Sequence, residues 1–292
     1  MNKENNSARS SIKHVFVVGC PRSGTTWAGL LLQSHPMIAG CTHSEFFTSC
    51  LNHLAGWWEA DRRFGKSVPI IGTGADGRTP EMKFTSILSE DEFYTLCDTF
   101  ASTVFNKIAS YKPGASIVAE QTPNNLRHSE LILRVFPEAY FLHVIRDPRS
   151  VYCSQRGAAN SGLEFGKRFP ETPEDGGAYW RDDVSKGRLI AEQTPRYREV
   201  RYESLISSGP SELLGIYQWL GVPADLFTCE HIVEACSIDK LRKHEAAPSG
   251  FFRKGLAEGW REELPEEGIA AIEGVAGELM DEMGYKRFEG NG

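Results

Sequence analysis

The sequence predicts an α/β protein: one domain with a central parallel sheet flanked by helices and a P-loop-like anion-binding loop near its start. Three observations predict this. Short apolar runs at Val15 to Val18, Ser116 to Glu120 and Ala139 to Ile145 read as strands, and each is followed by a helical period. A glycine-bounded loop, Gly19 to Gly24, joins the first run to its helix. A chain of 292 residues that is 40% hydrophobic has ample material for such a core.

The bulk numbers narrow the function. A net charge of -7 argues against nonspecific nucleic-acid binding, yet leaves room for a local basic pocket. No apolar run follows the N-terminal basic residues, and none reaches the length of a membrane span. Seven cysteines, an odd count without a CxxC pair, read as reduced thiols in a cytoplasmic protein rather than a disulfide framework or a zinc site. Residues 1–12 are expected to be a flexible tail, and residues 13–288 the domain.

The first strand, Val15 to Val18, ends at a loop with the spacing of a P-loop, G-x-x-x-x-G-K-[ST]. Thr25 stands where that motif has its lysine, so the nearest cation is Arg22, within the loop. Trp27, Leu30, Leu31 and Leu32 give the following helix its apolar side, and Pro36 closes it. Pro21-Arg-Ser-Gly-Thr-Thr-Trp27 resembles the 5′-phosphosulfate loop of sulfotransferases that use 3′-phosphoadenosine 5′-phosphosulfate (PAPS), with affinity to the bacterial and tyrosylprotein-like branch. The resemblance implies that Arg22, with the backbone of Ser23, Gly24, Thr25, Thr26 and Trp27 and the two threonine hydroxyls, binds the phosphosulfate. It also implies that Arg22 offsets charge on the leaving phosphate.

His35 to Gly40 is a turn and a short extended piece leading to Glu45. In relatives of the tyrosylprotein group, a glutamate after a similar His-Pro segment deprotonates the acceptor hydroxyl, and that role falls on Glu45. His43 is the rival base, while His35 shapes the turn. Residues 51 to 90 read as an irregular insertion containing Trp57, Trp58 and a glycine-rich piece, Gly72 to Gly77: a lid, an acceptor loop or plain surface. A helix is expected from Glu90 to Ala109.

Gln121-Thr-Pro follows the strand ending at Glu120, where related sulfotransferases carry Glu-Lys-Thr-Pro. Gln121 either gives the sulfate a neutral hydrogen bond or leaves the cationic role to Arg22 alone. Asn125 to Phe136 reads as an amphipathic helix. The strand Ala139 to Ile145, with His143 as a core residue, runs into Arg146, and Ser154 lies eight positions on. An arginine fork and a hydroxyl converging from strand tip and helix suit a phosphate, and the pair resembles the family's 3′-phosphate site. Trp180 to Ala191 is expected to be helical within a polar stretch from Gly157 to Pro195.

Arg198 to Ile206 reads as a strand running into a turn; its Tyr202 matches the family tyrosine near adenine, and Glu203 is a candidate cap for the next helix. Helices are expected over Pro210 to Leu220 and Glu266 to Met283. Arg253-Lys-Gly255 resembles the segment that closes on the 3′-phosphate. The resemblance therefore implies a PAPS-dependent sulfotransferase that needs no metal. Its acceptor would be a hydroxyl on a small molecule, sugar, lipid or peptide. The alternatives are a P-loop kinase-like enzyme with a degenerate loop, or a noncatalytic PAP- or PAPS-binding protein.

Overall fold

Lys13–Val18 forms strand β1, and Val15, Phe16, Val17 and Val18 have no exposed surface. Consecutive residues are buried this way only when helices cover both faces of a parallel sheet. Val15 and Val17 enter one core with Leu31, Leu213 and Tyr217. Phe16 and Val18 enter the other, with Phe105, Phe136 and Phe141. In the computed structural model, residues 12–69, 81–162, 164–242 and 258–289 are described. The expected tail up to residue 11, the piece Gly72 to Gly77, and Arg253, Lys254 and Gly255 lie outside them.

Helix α1 (Thr25–Gln33) follows β1 and leads to β2 (Ile38–Thr42). A widened helical turn, Phe46–Leu51, continues into α2 (Asn52–Phe64). Strands β3 (Ser67–Pro69) and β4 (Glu81–Lys83) pair antiparallel. Helix α3 (Glu90–Ser110) starts at a capping box in which Ser89 and Glu92 exchange hydrogen bonds. Strand β5 (Ile117–Gln121), α4 (Ser129–Val135), β6 (Tyr140–Ile145) and α5 (Pro148–Asn160) follow. Next come α6 (Pro173–Arg188), α7 (Ile190–Gln193), β7 (Tyr197–Arg201) and α8 (Tyr202–Ser207). The remaining helices are α9 (Gly209–Leu220), α10 (Leu226–Ala235), α11 (Ile238–Arg242), α12 (Trp260–Glu263) and α13 (Glu266–Glu282).

The main sheet is parallel throughout, in the order β2-β5-β1-β6-β7. The chain moves from β1 to one side for β2 and β5, then crosses to the other for β6 and β7. The reversal falls between β1 and β6, and ligands of open α/β sheets bind in the crevice at such a point.

Four expectations need correction. The stretch from residue 51 is not irregular at its start: α2 occupies it, with Trp58 its buried residue, and Leu51, Leu54, Ala55 and Trp58 recur at helical spacing. Helix α6 begins at Pro173, capped by Thr172, well before Trp180. The strand around Val200 ends at Arg201, so Tyr202 opens a helix. Glu203 caps no helix; it accepts from the Asp147 amide at 3.0 Å and the Tyr285 hydroxyl at 3.0 Å.

Helices α6 and α13 pack closely through Gly177, where a Cβ would come within 3.0 Å of the Ile272 carbonyl oxygen. Around Gly274, also in α13, a Cβ would meet nothing within 4 Å. Gly274→Ala should therefore gain roughly 0.5–1 kcal/mol from helix propensity. Gly177→Ala should lose about 1–3 kcal/mol through overpacking. Urea unfolding of the two variants measures both.

Candidate anion-binding and catalytic site

The loop after β1 is shaped by what it packs against. Ser23 N–H donates to the Cys20 carbonyl at 3.0 Å, closing a tight turn. That amide is thus used within the loop, unlike the free amide expected for Ser23. Arg22 is held at φ 79°, a left-handed conformation costing a non-glycine residue about 1–2 kcal/mol. Gly24 also has positive φ (95°), and a Cβ there would lie 2.4 Å from the Tyr202 ring. A glycine is therefore required at this position on both counts.

Gly24 begins α1 with no side-chain cap and no acidic residue in the first turn. The first helical amide with a backbone acceptor is Ala28, bonded to the Gly24 carbonyl at 3.0 Å. The amides of Thr25, Thr26 and Trp27 precede it, as the opening amides of any helix do. Beside them the Ser23 hydroxyl is fully buried and has no hydrogen-bond partner among the described residues. Open amides, an unpaired buried hydroxyl and a neighbouring guanidinium suit an oxyanion.

Thr25 and Trp27 are otherwise engaged. Gln121 Nε2 donates to Thr25 Oγ1 at 3.0 Å, so the neutral amide in the place of the family lysine reaches the loop. With that oxygen accepting from Gln121, the threonine proton remains available to an anion. Trp27 is a core residue whose indole N–H donates to the Cys236 carbonyl at 2.8 Å. Thr26 is half-buried on the first turn.

The loop after β6 lies against the loop after β1. Arg146 Nη1 donates to the Arg22 carbonyl at 3.3 Å, and its guanidinium stands 4.3 Å from the Tyr202 ring centroid. Arg22 Nε donates to Ser154 Oγ at 3.1 Å. Arg22 and Ser154, read as contacts of opposite ends of a nucleotide, are thus direct neighbours. Tyr202 is buried at 4% exposure and meets Trp27 edge-on at 5.7 Å.

Residues that the sequence motifs do not single out hold these loops. Gln155 Nε2 donates to the Pro21 carbonyl at 3.1 Å. Trp180 Nε1 donates to the Arg146 carbonyl at 2.8 Å. Arg149 forks onto Asp147 (2.6 and 2.9 Å), reaches Glu273 at 2.7 Å and stacks over Trp260 at 3.8 Å. Asp147, adjacent to Arg146, is locked by this network.

The candidate bases sit beyond β2. His43 and Glu45 both adopt left-handed φ, 53° and 50°. Glu45 is exposed and accepts from Ser49 Oγ at 3.2 Å. His43 feels both Glu45 and Arg22 electrostatically, so the rival bases and the loop cation share one neighbourhood. Partial burial holds the His43 imidazole below its ordinary range; Glu45 opposes this and Arg22 adds to it. Glu120, at 1% exposure, accepts from Ser44 Oγ (2.6 Å), Thr122 Oγ1 (2.5 Å) and Asn125 Nδ2. Burial pushes its carboxyl up, and these donors pull it back. A carboxylate ending an apolar strand, with donors two and five residues on, is the signal that the sequence offers for it.

His35 and His143 are structural, as expected. His35 Nε2 pairs with the Pro223 carbonyl at 2.9 Å, and its Nδ1 accepts from Met37 N at 3.1 Å. His143 is fully buried against the Tyr197 hydroxyl (2.6 Å), and burial drives its imidazole down to about 3.

A family model described as "Sulfotransferase family" matches residues 14–226. The omega-hydroxy-beta-dihydromenaquinone-9 sulfotransferase Stf3 of Mycobacterium bovis is 27% identical over 175 residues, covering 57% of this chain and 41% of that protein. Nodulation protein NoeE of Sinorhizobium fredii is 22% identical over 289 residues, covering 93% of this chain and 66% of its own length. The chain thus spans less than two thirds of either relative. Among solved structures, mouse sulfotransferase SULT7A1 complexed with PAP aligns with a TM-score of 0.56 at 14% identity, over 94% of this chain and 86% of that one. The sulfotransferase domain of the Synechococcus PCC 7002 olefin synthase aligns with a TM-score of 0.51 at 16% identity, over 94% and 98%. Both likenesses concern the fold. No helix among the described residues is long and apolar enough to cross a membrane.

Arg149 is the key to the loop that carries Arg146. Its side chain is 4% exposed and faces two carboxylates. Arg149→Met should cost about 3–5 kcal/mol, because it strands buried charge. Arg149→Lys should recover less than half of that, lacking the planar fork. Chemical denaturation of both variants checks this.

Proposed function

The chain belongs to the sulfotransferase family, and on that premise we propose that it moves a sulfuryl group from PAPS to a hydroxyl acceptor, releasing 3′,5′-ADP. The observation that carries the reading is the meeting of two anion-seeking loops at the sheet's switch point, where Arg22 bonds Ser154 and Arg146 bonds Arg22. A donor with phosphates at both the 5′ and 3′ positions needs two such clamps side by side; ATP needs one.

PAPS would supply an activated sulfuryl group on its 5′-phosphate. The open amides of Thr25 to Trp27, the Ser23 and Thr25 hydroxyls and Arg22 would hold that end. Arg146 and Ser154 would hold the 3′-phosphate, joined by Arg253, Lys254 and Gly255, and Tyr202 would stand by the base. Glu45 would take the acceptor proton as the acceptor oxygen bonds sulfur and the bond from sulfur to the phosphate oxygen breaks. Arg22 would offset the negative charge left on that oxygen. Gln121 gives no charge, so the cationic share of this work falls on Arg22. The acceptor is a hydroxyl-bearing small molecule, sugar, lipid or peptide. The mouse neighbour is complexed with PAP, which supports the donor assignment.

Transfer of labelled sulfuryl from PAPS to a panel of a phenol, an alkanol, a monosaccharide and a tyrosyl peptide tests the reading. Glu45→Gln should lower kcat by roughly 10²–10⁴-fold while leaving nucleotide affinity unchanged. An unchanged rate would remove Glu45 as the base, and a loss in His43→Ala instead would transfer the role to His43.

A further inference from the structure

We propose that Glu120 is the positioning residue for Glu45: its buried carboxylate ties Ser44 to the end of β5 and so fixes the turn that carries both candidate bases. The inference rests on the sulfuryl-transfer reading above and extends it to a residue with no direct contact to substrate.

On its far side the turn is anchored by Phe46 and Phe47, which are buried in the core; on its near side its ties are polar. Strand β2 lies at the edge of the sheet, and beyond Thr42 the last backbone tie to β5 is His43 N–H donating to the Gln121 carbonyl at 2.7 Å. Two of the next three residues, His43 and Glu45, then take left-handed conformations that side chains disfavour. Glu45 points its carboxylate at Ser49, four residues along the same turn, so that contact moves with it. Ser44 sits between the two. Its hydroxyl donates to Glu120 at 2.6 Å and accepts from the Phe46 amide at 3.2 Å. Thr122 and Asn125 close on the same carboxylate from the segment after β5. One acceptor thus joins the two neighbouring loops at the carboxyl edge, and its donors satisfy an otherwise costly buried charge.

The experiment uses the full chain and the variants Glu120→Gln and Ser44→Ala, singly and together, with and without Glu45→Gln. Ser44 is exposed, so Ser44→Ala keeps the test alive if Glu120→Gln fails to fold. Each single variant should lower kcat by about 10–100-fold, with KM for PAPS within about twofold, as expected for a misplaced catalytic group. The double variant should be no slower than Glu120→Gln alone, because Ser44→Ala removes only the hydroxyl arm of the same link, to which the Ser44 amide also contributes. With Glu45→Gln already present, neither should cost more. Amide hydrogen exchange should quicken at His43 and Phe46 and stay unchanged in β1. Unchanged exchange in the turn, unchanged kcat, or an equal loss in the Glu45→Gln background would overturn the inference while leaving the function standing. Absence of transfer by the wild type across the panel would overturn the functional reading, and this inference with it.

Discussion

The carboxyl edge of this protein is organised by the uncapped start of α1. A helix N-terminus carries the equivalent of about half a positive charge, and most helices meet it with an acidic or hydroxyl cap. This one meets it with Gly24 and no acid in its first turn. The chain carries a net charge of -7, yet Arg22 and Arg146 stand against that terminus. The left-handed backbone of Arg22 carries its own cost. Both features make sense as pre-organisation for an anionic ligand.

The rest of the fold keeps that arrangement from relaxing. Trp180 from α6, with Asp147 and Arg149 at the start of α5, fixes the loop of Arg146, and Trp260 and Glu273 stand behind them. From α5, Gln155 pins Pro21 within the other loop. From β5, Gln121 reaches Thr25 and Glu120 reaches Ser44. Gln121, Glu120 and Gln155 come from elements next to the loops they steady, so the parallel strand order brings them together, while Trp180, Trp260 and Glu273 come from α6, α12 and α13. The two cores on either side of the sheet hold the strands, and the polar ties are confined to their carboxyl ends.

Much of this is legible in the sequence because it is local. The run Val15 to Trp27 specifies strand, turn and helix by its own periodicity, and Arg146 and Ser154 lie one strand tip and under two helical turns apart. What stays hidden depends on distant partners. Glu203 reads as a helix cap, but its bonds go to Asp147 and Tyr285, 56 and 82 residues away. Helix α2 does carry a sign, since Leu54, Ala55 and Trp58 follow Leu51 at helical spacing, but it buries only Trp58 among its thirteen residues, so the stripe is thin beside the tryptophans and charges around it. The left-handed turns at His43 and Glu45 carry no glycine or asparagine to mark them.

On the proposed function, two adjacent clamps select a nucleotide phosphorylated at both the 5′ and 3′ positions. Calorimetric titration with 3′,5′-ADP, 5′-AMP and ATP–Mg, in the wild type and in Arg146→Ala, tests it most directly. Charge-assisted bonds to a phosphate are worth about 1.5–3 kcal/mol each, so 3′,5′-ADP should bind at least roughly tenfold more tightly than 5′-AMP. That preference should fall by roughly tenfold or more in Arg146→Ala, with a smaller change in 5′-AMP binding. Equal affinity for 3′,5′-ADP and 5′-AMP, or a preference for ATP–Mg that survives the substitution, would contradict the account.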